Sequence, residues 1–581
     1  MTNYLFLFTI GPVQSFISQA RKTQDLYSGS QILSDLISEA MEMDRLPNGS
    51  EIIFPKGGDS NPNRFIAIIN DSDPEQLGQK IKEAVRDKFR SYANDALAKV
   101  GCSAPSNFQN QVENFLQIYW AALPCKDYIH DYQKIESLLG AIKNVRPFLQ
   151  MDEDRRKCSL CGERNALFCR AQTSPLYIQI DACKRNDLRI LKGEGLCAIC
   201  FTKRFYKTGT FPSTAKIALM ETLHRLKEQP EIYVFLDKYQ KCFEDNMFDE
   251  QLYYGENLTK PYFEKHDLDD NITELPEIVG KQKQISEFEF AKKEKLELSK
   301  YYAIIAFDGD NMGKWLSGSK ISMEFHKDLS KNLGDFAKEA KRYLDDNQRG
   351  RTVYAGGDDF LGFVNLNHLF AVMKKLREEF DARVNEKLKG YFADEDNKIT
   401  FSAGIAIAHY KTPLSEVLNR ARRMEREAKD FDDEKDAFGI AVLKRSGEIH
   451  ETVYKWQYDG SWPIDLIKDI SGRLKNDELS NTFIKSLNIE FLKLMDEKGR
   501  LYEDEFDYGN MLSTEINRLL ERSRKPTEKG DKIKEKIKEL AEQLEKLYSA
   551  ERKRNNSFEN FLSLLNIADF ISRHINKGGT E

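Results

Sequence analysis

Apolar and polar positions alternate with different periods along this chain, and the changes of period divide it. The stretch from Tyr4 to Ile10 is almost wholly apolar and closes at Gly11-Pro12, which predicts a strand ending in a turn. Val13 to Ser38 then carries apolar residues at helical spacing. Glu51 to Pro55 and Arg64 to Asn70 read as two short strands, and Asp73 to Val100 as a charged amphipathic helix. This β-α-β-β-α order opens a ferredoxin-like unit. Residues 105 to 150 read as helical, and 201 to 298 as mostly helix-compatible, with a polar, acidic and Lys-rich stretch from Glu244 to Lys300 expected to be loop and connector.

The pattern then recurs. Tyr301 to Phe307 is a strand, Glu324 to Leu344 a helix, Arg351 to Ala355 with Phe360 to Val364 a hairpin, Leu366 to Leu388 a helix, Ile399 to His409 a strand and Leu414 to Lys429 a helix. From about residue 450 almost only helix is predicted, with Ile533, Ile537, Leu540, Leu544 and Leu547 forming one apolar stripe. The fold class is therefore α+β and multidomain, with two ferredoxin-like units.

Composition narrows the picture. A chain of 581 residues is expected to hold about four domains. The balance of 88 Lys+Arg against 94 Asp+Glu, net −6, excludes a protein that coats nucleic acid by bulk charge, so any such contact is local. Apolar runs fall far below the roughly 18 residues of a membrane span, and the first residues show no signal-peptide pattern. Nine cysteines, four of them in two Cys-x-x-Cys pairs, read as metal binding in a reducing compartment. The expected location is cytoplasmic, away from membranes.

The densest chemistry lies in Tyr354-Ala355-Gly356-Gly357-Asp358-Asp359-Phe360, between two strands. Two glycines permit a tight turn, and two carboxylates sit at its tip. Such a tripeptide alone suits any hairpin. Its partner is Asp308-Gly309-Asp310-Asn311-Met312-Gly313-Lys314, which ends the strand from Tyr301. In a ferredoxin-like sheet the first strand lies antiparallel beside the third, so Asp308 is expected to face Asp358. Carboxylates brought together repel unless a divalent cation neutralises them, and Mg²⁺ or Mn²⁺ with phosphate oxygens suits nucleotidyl transfer. The amides of the 309–313 loop are expected to hold a triphosphate.

Longer strings make the resemblance specific. Phe8-Thr-Ile-Gly-Pro-Val-Gln-Ser-Phe-Ile17 with Ala20-Arg-Lys-Thr-Gln-Asp-Leu26, Phe307-Asp-Gly-Asp-Asn-Met-Gly-Lys-Trp-Leu316, and Ser402-Ala-Gly-Ile-Ala-Ile-Ala-His409-Tyr-Lys-Thr-Pro-Leu414 resemble the large, polymerase-like subunit of type III CRISPR effector complexes, in the Cmr (III-B) branch. The resemblance implies two palm domains, a zinc-binding insert, helical domains, and synthesis of cyclic oligoadenylates from ATP when guide CRISPR RNA pairs with target RNA. Implied partners are the other Cmr subunits, the two RNAs and nucleotides. By the same resemblance Asp308, Asp310 and Asp358 are metal ligands and Asp308, Asp358 and Asp359 catalytic. Gly309, Asn311, Met312, Gly313, Lys314, Gly356, Gly357 and Lys429 contact nucleotide, with Lys429 reaching triphosphate oxygens. The expected division is 1–155 first palm with helical extension, 156–205 zinc insert, 206–298 helical domain and connector, 299–448 second palm, and 449–581 C-terminal helices.

The first palm reads as a degenerate copy, because Thr9-Ile10-Gly11 stands where the second has Asp308. Gly57-Gly58-Asp59-Ser60 copies the hairpin only by coincidence. This palm is expected to pack on the active one and shape a second nucleotide pocket, with Gly11 and Gln14 against ligand. Cys158-x-x-Cys161 and Cys197-x-x-Cys200, 35 residues apart, read as a closed structural Zn²⁺ site with Cys169 and Cys183 as possible substitutes. Cys102, Cys125 and Cys242 read as ordinary thiols. Larger family members carry an HD-type nuclease domain; His130-Asp131 and His266-Asp267 lack the upstream histidine cluster such a site needs, so DNA cleavage is not expected. Local RNA contact falls to Arg155-Arg156-Lys157 or to Glu521–Arg554, which holds 12 Lys/Arg against 8 acids. Two other readings remain: a nucleotide-binding scaffold without turnover, and a stand-alone diguanylate-type cyclase, which the duplicated palm and zinc insert disfavour.

Overall fold

The computed structural model describes residues 2–42, 44–57, 60–71, 73–145, 154–170, 178–179, 190–206, 210–243, 247–317, 322–392, 398–501, 508–523, 531–553 and 557–576. Gly58, Asp59 and Cys183 lie outside them.

Both ferredoxin-like units are present. In the first, the strands Thr2–Gly11, Glu51–Phe54, Arg64–Asp71 and Gln117–Pro124 form one antiparallel sheet, with Thr2–Gly11 and Arg64–Asp71 central. The segment read as helix over 105 to 150 is corrected by this sheet: Gln117–Pro124 lies between the helices Phe108–Glu113 and Tyr128–Asn144 and pairs with the first strand, Phe8 opposite Trp120. Its Ala-Ala pair favours helix locally. The unpaired backbone edge of Thr2–Gly11 decides otherwise.

The helix expected over 13–38 is two helices, Gln14–Ser18 and Thr23–Ala40. The break has a side-chain cause. Lys203 donates to the carbonyls of Phe16 and Gln19, ending the first helix. The Asp25 carboxylate accepts the amides of Arg21 and Lys22, starting the second.

The second unit is a six-stranded sheet in which Phe401–His409, Tyr301–Gly309, Phe360–Asn365 and Gly350–Ala355 lie side by side. Two further strands extend it, Ala437–Leu443 parallel to Phe401–His409 and Ile449–Lys455 antiparallel beyond. The all-helical reading from about 450 therefore starts too early, since the first residues there complete a sheet. The helices Pro463–Lys475 and Phe558–His574 pack on this unit and share its core, with Asn560 hydrogen-bonded to Thr452 and Val453 at 2.9 Å each. Ile537, Leu540, Leu544 and Leu547 are buried, as the stripe predicts.

The stretch Glu244–Lys300, read as connector, is also corrected. Its described residues fold into short helices, among them Lys260–Lys265 and Leu275–Ile285, around Tyr239, Tyr253, Phe263 and Ile278. Widely spaced aromatic residues supply a core that charge-rich composition hides. Among the described residues no helix is long and apolar enough to cross a membrane.

Candidate active site

Tyr301–Gly309 is buried along nearly its whole length, with Ile305 and Phe307 in one core and Ile304 and Ala306 in the other. Packing on both faces explains the continuous apolar run and leaves Asp308 at the strand end. Phe360 pairs with Phe307, so the hairpin tip meets that end. The Gly309 amide donates to the Asp358 carbonyl at 3.0 Å, and a Cβ on Gly309 would stand 3.1 Å from that of Asp358. Gly357, at φ +106°, makes the turn. The expected facing of the two acidic loops is what the structure places here.

Each carboxylate has a distinct setting. Asp308 is ion-paired with Lys429, at the end of the helix Leu414–Lys429. The carboxyl of Asp358 is pushed up to about 7 by burial and by the charges of Asp308 and Asp359. Asp359 accepts the Tyr354 hydroxyl at 2.7 and 2.8 Å and lies 3.6 Å from Arg422. Asp310 turns inward: one oxygen accepts from Thr400 at 2.8 Å, Ser402 at 3.1 Å and the Asp436 amide at 3.2 Å, while Oδ1 is buried without a partner. Burial raises its carboxyl as well.

In the loop after the strand, the amides of Gly309 and Asp310 already bond to Asp358 and Thr400, so they are not available to a triphosphate. Asn311 has positive φ and leads into the short helix Met312–Ser317, where Gly313 and Lys314 are exposed.

A cavity of about 440 Å³ lies between the palms. Gln14, Asn63 and Arg64 line it from the first unit, and Asp308, Gly356, Asp358 and Asp359 from the second. Gly11 sits outside it, paired with Gln117. Sequence reasoning missed Arg422 and Arg426 on the cavity wall. Their signal was the spacing of 422, 426 and 429 along one helix face.

The first-palm wall is held from the cysteine-rich insert. Cys158, Cys161, Cys197 and Cys200 converge with their sulfurs within 4.8 Å of one another, the one such group of possible metal ligands among the described residues. Cys169 stays a buried free thiol. S–H donation from Cys158, Cys197 and Cys200 holds the Cys161 thiol far below its usual range. From this knot runs the helix Ala198–Phe205, whose Lys203 and Arg204 are fully buried. Lys203 grips the carbonyls at 16 and 19, and Arg204 pairs with Asp25. The acids of both His-Asp dipeptides are engaged within the protein: Asp131 accepts the amides of Lys126 and Asp127, and Asp267 pairs with Arg170.

Residues 5–60 match the family model "CRISPR-associated protein Cmr2, N-terminal", and residues 301–439 match "Cas10/Cmr2, second palm domain". A "CRISPR system Cmr subunit Cmr2" from Pyrococcus furiosus is 26% identical, the match covering 78% of this chain and 63% of that relative. The chain is similar to the Cas10/Cmr2 family over these two segments. The match spans just under two thirds of that relative's length. In fold, the chain resembles structures of a type III-B Cmr-beta complex in its apo state (TM-score 0.60, 13% identity, 94% of this chain and 82% of the other) and bound to cognate target RNA (TM-score 0.58, 14%, 95% and 83%). The matched Cas10/Cmr2 second-palm segment contains Asp308, Asp310, Asp358, Asp359, Arg422 and Lys429. The N-terminal Cmr2 segment contains Gln14 and the loop that Lys203 and Arg204 hold.

Proposed function

We propose that this chain is the large subunit of a type III-B CRISPR RNA-guided effector complex, and that its second palm joins ATP into cyclic oligoadenylate when target RNA is bound. One observation carries the reading: Asp308, neutralised by Lys429, meets Asp358 on the wall of a cavity to which both palms contribute. The Pyrococcus furiosus relative is a Cmr subunit. The partners are accordingly the other Cmr subunits, guide CRISPR RNA and target RNA.

The carboxylates suit a divalent cation. Asp358 is strained by its acidic neighbours, and Asp310 keeps a dry oxygen that nothing in the protein satisfies. Asp308, Asp358 and Asp310 would hold Mg²⁺ or Mn²⁺, which when bound promotes ionisation of the attacking hydroxyl and offsets charge at the α-phosphate. Lys429, Arg422 and Arg426 supply positive charge to the triphosphate, and Asp359 with Tyr354 keeps Arg422 at the wall. The 3′-hydroxyl of one ATP attacks the α-phosphorus of another; a phosphodiester forms as the bond to pyrophosphate breaks. Repetition and a final attack on the chain's own 5′-triphosphate close the ring. The four cysteines suit a closed, structural Zn²⁺.

The test is to give the assembled complex ATP, Mg²⁺ or Mn²⁺ and target RNA, then assay pyrophosphate and small cyclic products. Silence from the wild type, or unchanged output from Asp358→Ala/Asp359→Ala, defeats the reading. The Lys429–Asp308 ion pair favours one competitor, a nucleotide-binding scaffold in which the lysine never leaves Asp308. That scaffold binds ATP and releases no pyrophosphate.

A further inference from the structure

Arg422, Glu425 and Lys429 follow one another at steps of three and four along the helix Leu414–Lys429, so they share one face. The acid between the two cations is buried. Its carboxylate oxygens are divided: Oε2 accepts from Arg422 at 2.9 Å, and Oε1 faces the Lys429 ammonium at 4.0 Å. Lys429 itself donates to Oδ2 of Asp308. One lysine therefore lies between two carboxylates, bonded to the first and within about 1 Å of hydrogen-bond distance from the second.

The helix is fixed against the sheet at this point. A Cβ on Gly404 would stand 2.0 Å from the Ala421 carbonyl oxygen and 2.3 Å from the Glu425 amide nitrogen, and one on Gly439 would stand 2.8 Å from the Met424 carbonyl oxygen. The two glycines are register partners on the parallel strands Phe401–His409 and Ala437–Leu443. Together they let the helix backbone rest directly on the sheet at the turn that carries Glu425. Packing this close leaves side-chain motion as the way to change partner. Glu425 is a fixed anion, and Lys429, a point charge on a flexible four-carbon stem, is the group that can move.

Two cations contend for Asp308. The Lys429 ammonium is bonded to it, and the ATP-condensing reading above makes it a ligand of Mg²⁺ or Mn²⁺. Sending the lysine into solvent would remove positive charge that the triphosphate needs. Glu425 is the nearer destination, and an ammonium arriving there adds a partner to a carboxylate that water reaches poorly.

We propose that Glu425 is a positioning residue that gives Lys429 a second seat. As a divalent cation takes Asp308, the ammonium, still charged, exchanges its hydrogen bond to Asp308 for one to Glu425 and stays beside the site. The proposal rests on the ATP-condensing reading, which makes Asp308 a cation ligand.

The experiment binds Mn²⁺ to the full chain at pH 8 without nucleotide, and follows by electron paramagnetic resonance the Mn²⁺ whose binding Asp358→Asn removes. Lys429→Met takes away the competitor and should tighten that binding about tenfold, whereas Glu425→Gln takes away the second seat and should weaken it about tenfold. In Glu425→Gln/Lys429→Met the glutamine should change nothing further, the affinity matching Lys429→Met alone within about twofold. A loss of equal size with and without the lysine overturns the proposal, because a carboxylate that merely braces the helix or adds negative charge acts whether or not Lys429 is present. A second measurement uses the wild type alone. Acetylation of Lys429 by acetic anhydride should be as slow with saturating Mn²⁺ as without it; a rate that rises toward that of the exposed Lys314 places the lysine in solvent and overturns the proposal. Wild type with no Mn²⁺ that depends on Asp358 defeats the cation site of the ATP-condensing reading, and this proposal with it. Mn²⁺ bound at that site, with independent effects of the two substitutions, defeats this proposal alone.

Discussion

Tyr128 of the first palm donates its hydroxyl to Nδ1 of His326 in the second at 2.7 Å. The other ring nitrogen lies 3.2 Å from the Leu316 carbonyl, which can only accept, so Nε2 carries the hydrogen and Nδ1 receives. Gln133 adds a hydrogen bond to the Ser317 carbonyl at 2.9 Å. The helix Met312–Ser317, which follows the acidic loop, is thus held by the first palm.

Tyr128→Phe should loosen that helix. It leaves a buried ring nitrogen without its donor, at a cost of about 1–3 kcal/mol. Burial pushes the His326 imidazole down to about 4, with Glu136 raising and Arg64 lowering it. A depressed histidine contributes stability that is complete above its ordinary value near 6.5 and lost as the pH falls through about 4. Amide exchange across 312–317 should therefore be protected at neutral pH and fade in acid. In Tyr128→Phe it should be fast already at neutrality; equal protection in the two proteins would show that the contact holds nothing.

Asp358 should make cation binding steeply dependent on pH. Its carboxyl is pushed up to about 7 by burial, Asp308 and Asp359, so protons compete with the cation below that point. Mn²⁺ affinity should fall by up to about tenfold per pH unit under pH 7 and level off above it. The sign for stability is the reverse of the usual carboxylate. A raised value means that the folded, cation-free protein loses stability as the pH climbs from the ordinary carboxyl range through about 7. Asp358→Asn should then melt higher than wild type at pH 8 without cation, with a gap that closes toward pH 4, and should lose Mn²⁺ binding. Melting curves with and without Mn²⁺ read both.

What the sequence disclosed about this site was local: a strand buried on both faces, a glycine turn and the acids beside them. What it hid was set from far along the chain. Asp310 reads as a ligand equal to Asp308, yet Thr400 and Ser402 on another strand engage one of its oxygens and leave only Oδ1 without a partner. Arg422 looks like any exposed helix cation until Tyr354 and Asp359 meet it. Gln117–Pro124 becomes a strand only because Thr2–Gly11 has an edge to fill. The cavity itself needs both palms, which no single stretch of pattern contains.

Lys203 and Arg204 should report how strongly the cysteine-rich insert supports the first-palm wall. Burial alone would raise the Asp25 carboxyl, but Arg204 outweighs it and holds the group below its usual range. The pair therefore contributes stability above the ordinary carboxyl range that is lost as acid carries the pH down through the folded value. Asp25→Asn leaves the buried Arg204 guanidinium with Glu194 as its remaining acid and should cost less than the about 3–5 kcal/mol of a fully unpaired buried charge. Lys203→Met removes two donors from carbonyl groups and should cost less, with Lys203→Arg restoring part. Hydrogen exchange should localise both losses to 13–25, next to Gln14. Global unfolding of equal size in both variants would deny the insert that specific role.

The four-cysteine knot gives the last prediction. Sulfurs within 4.8 Å of one another, with Cys158, Cys197 and Cys200 buried, cannot all ionise without a cation among them. Purified protein should therefore carry close to one Zn²⁺ per chain, released by a mercurial reagent as the thiols are titrated. Apparent binding energies of such sites reach about 10–16 kcal/mol, so release should unfold the insert rather than merely empty it. Because Cys197 and Cys200 begin the helix that carries Lys203 and Arg204, the loop at 16–25 should lose its grip at the same time. The check follows zinc release with a colorimetric chelator and exchange at 13–25 in one titration. Zinc leaving while that loop stays protected would show that the helix is held by its packing, through Phe201 and Phe205, and not by the metal.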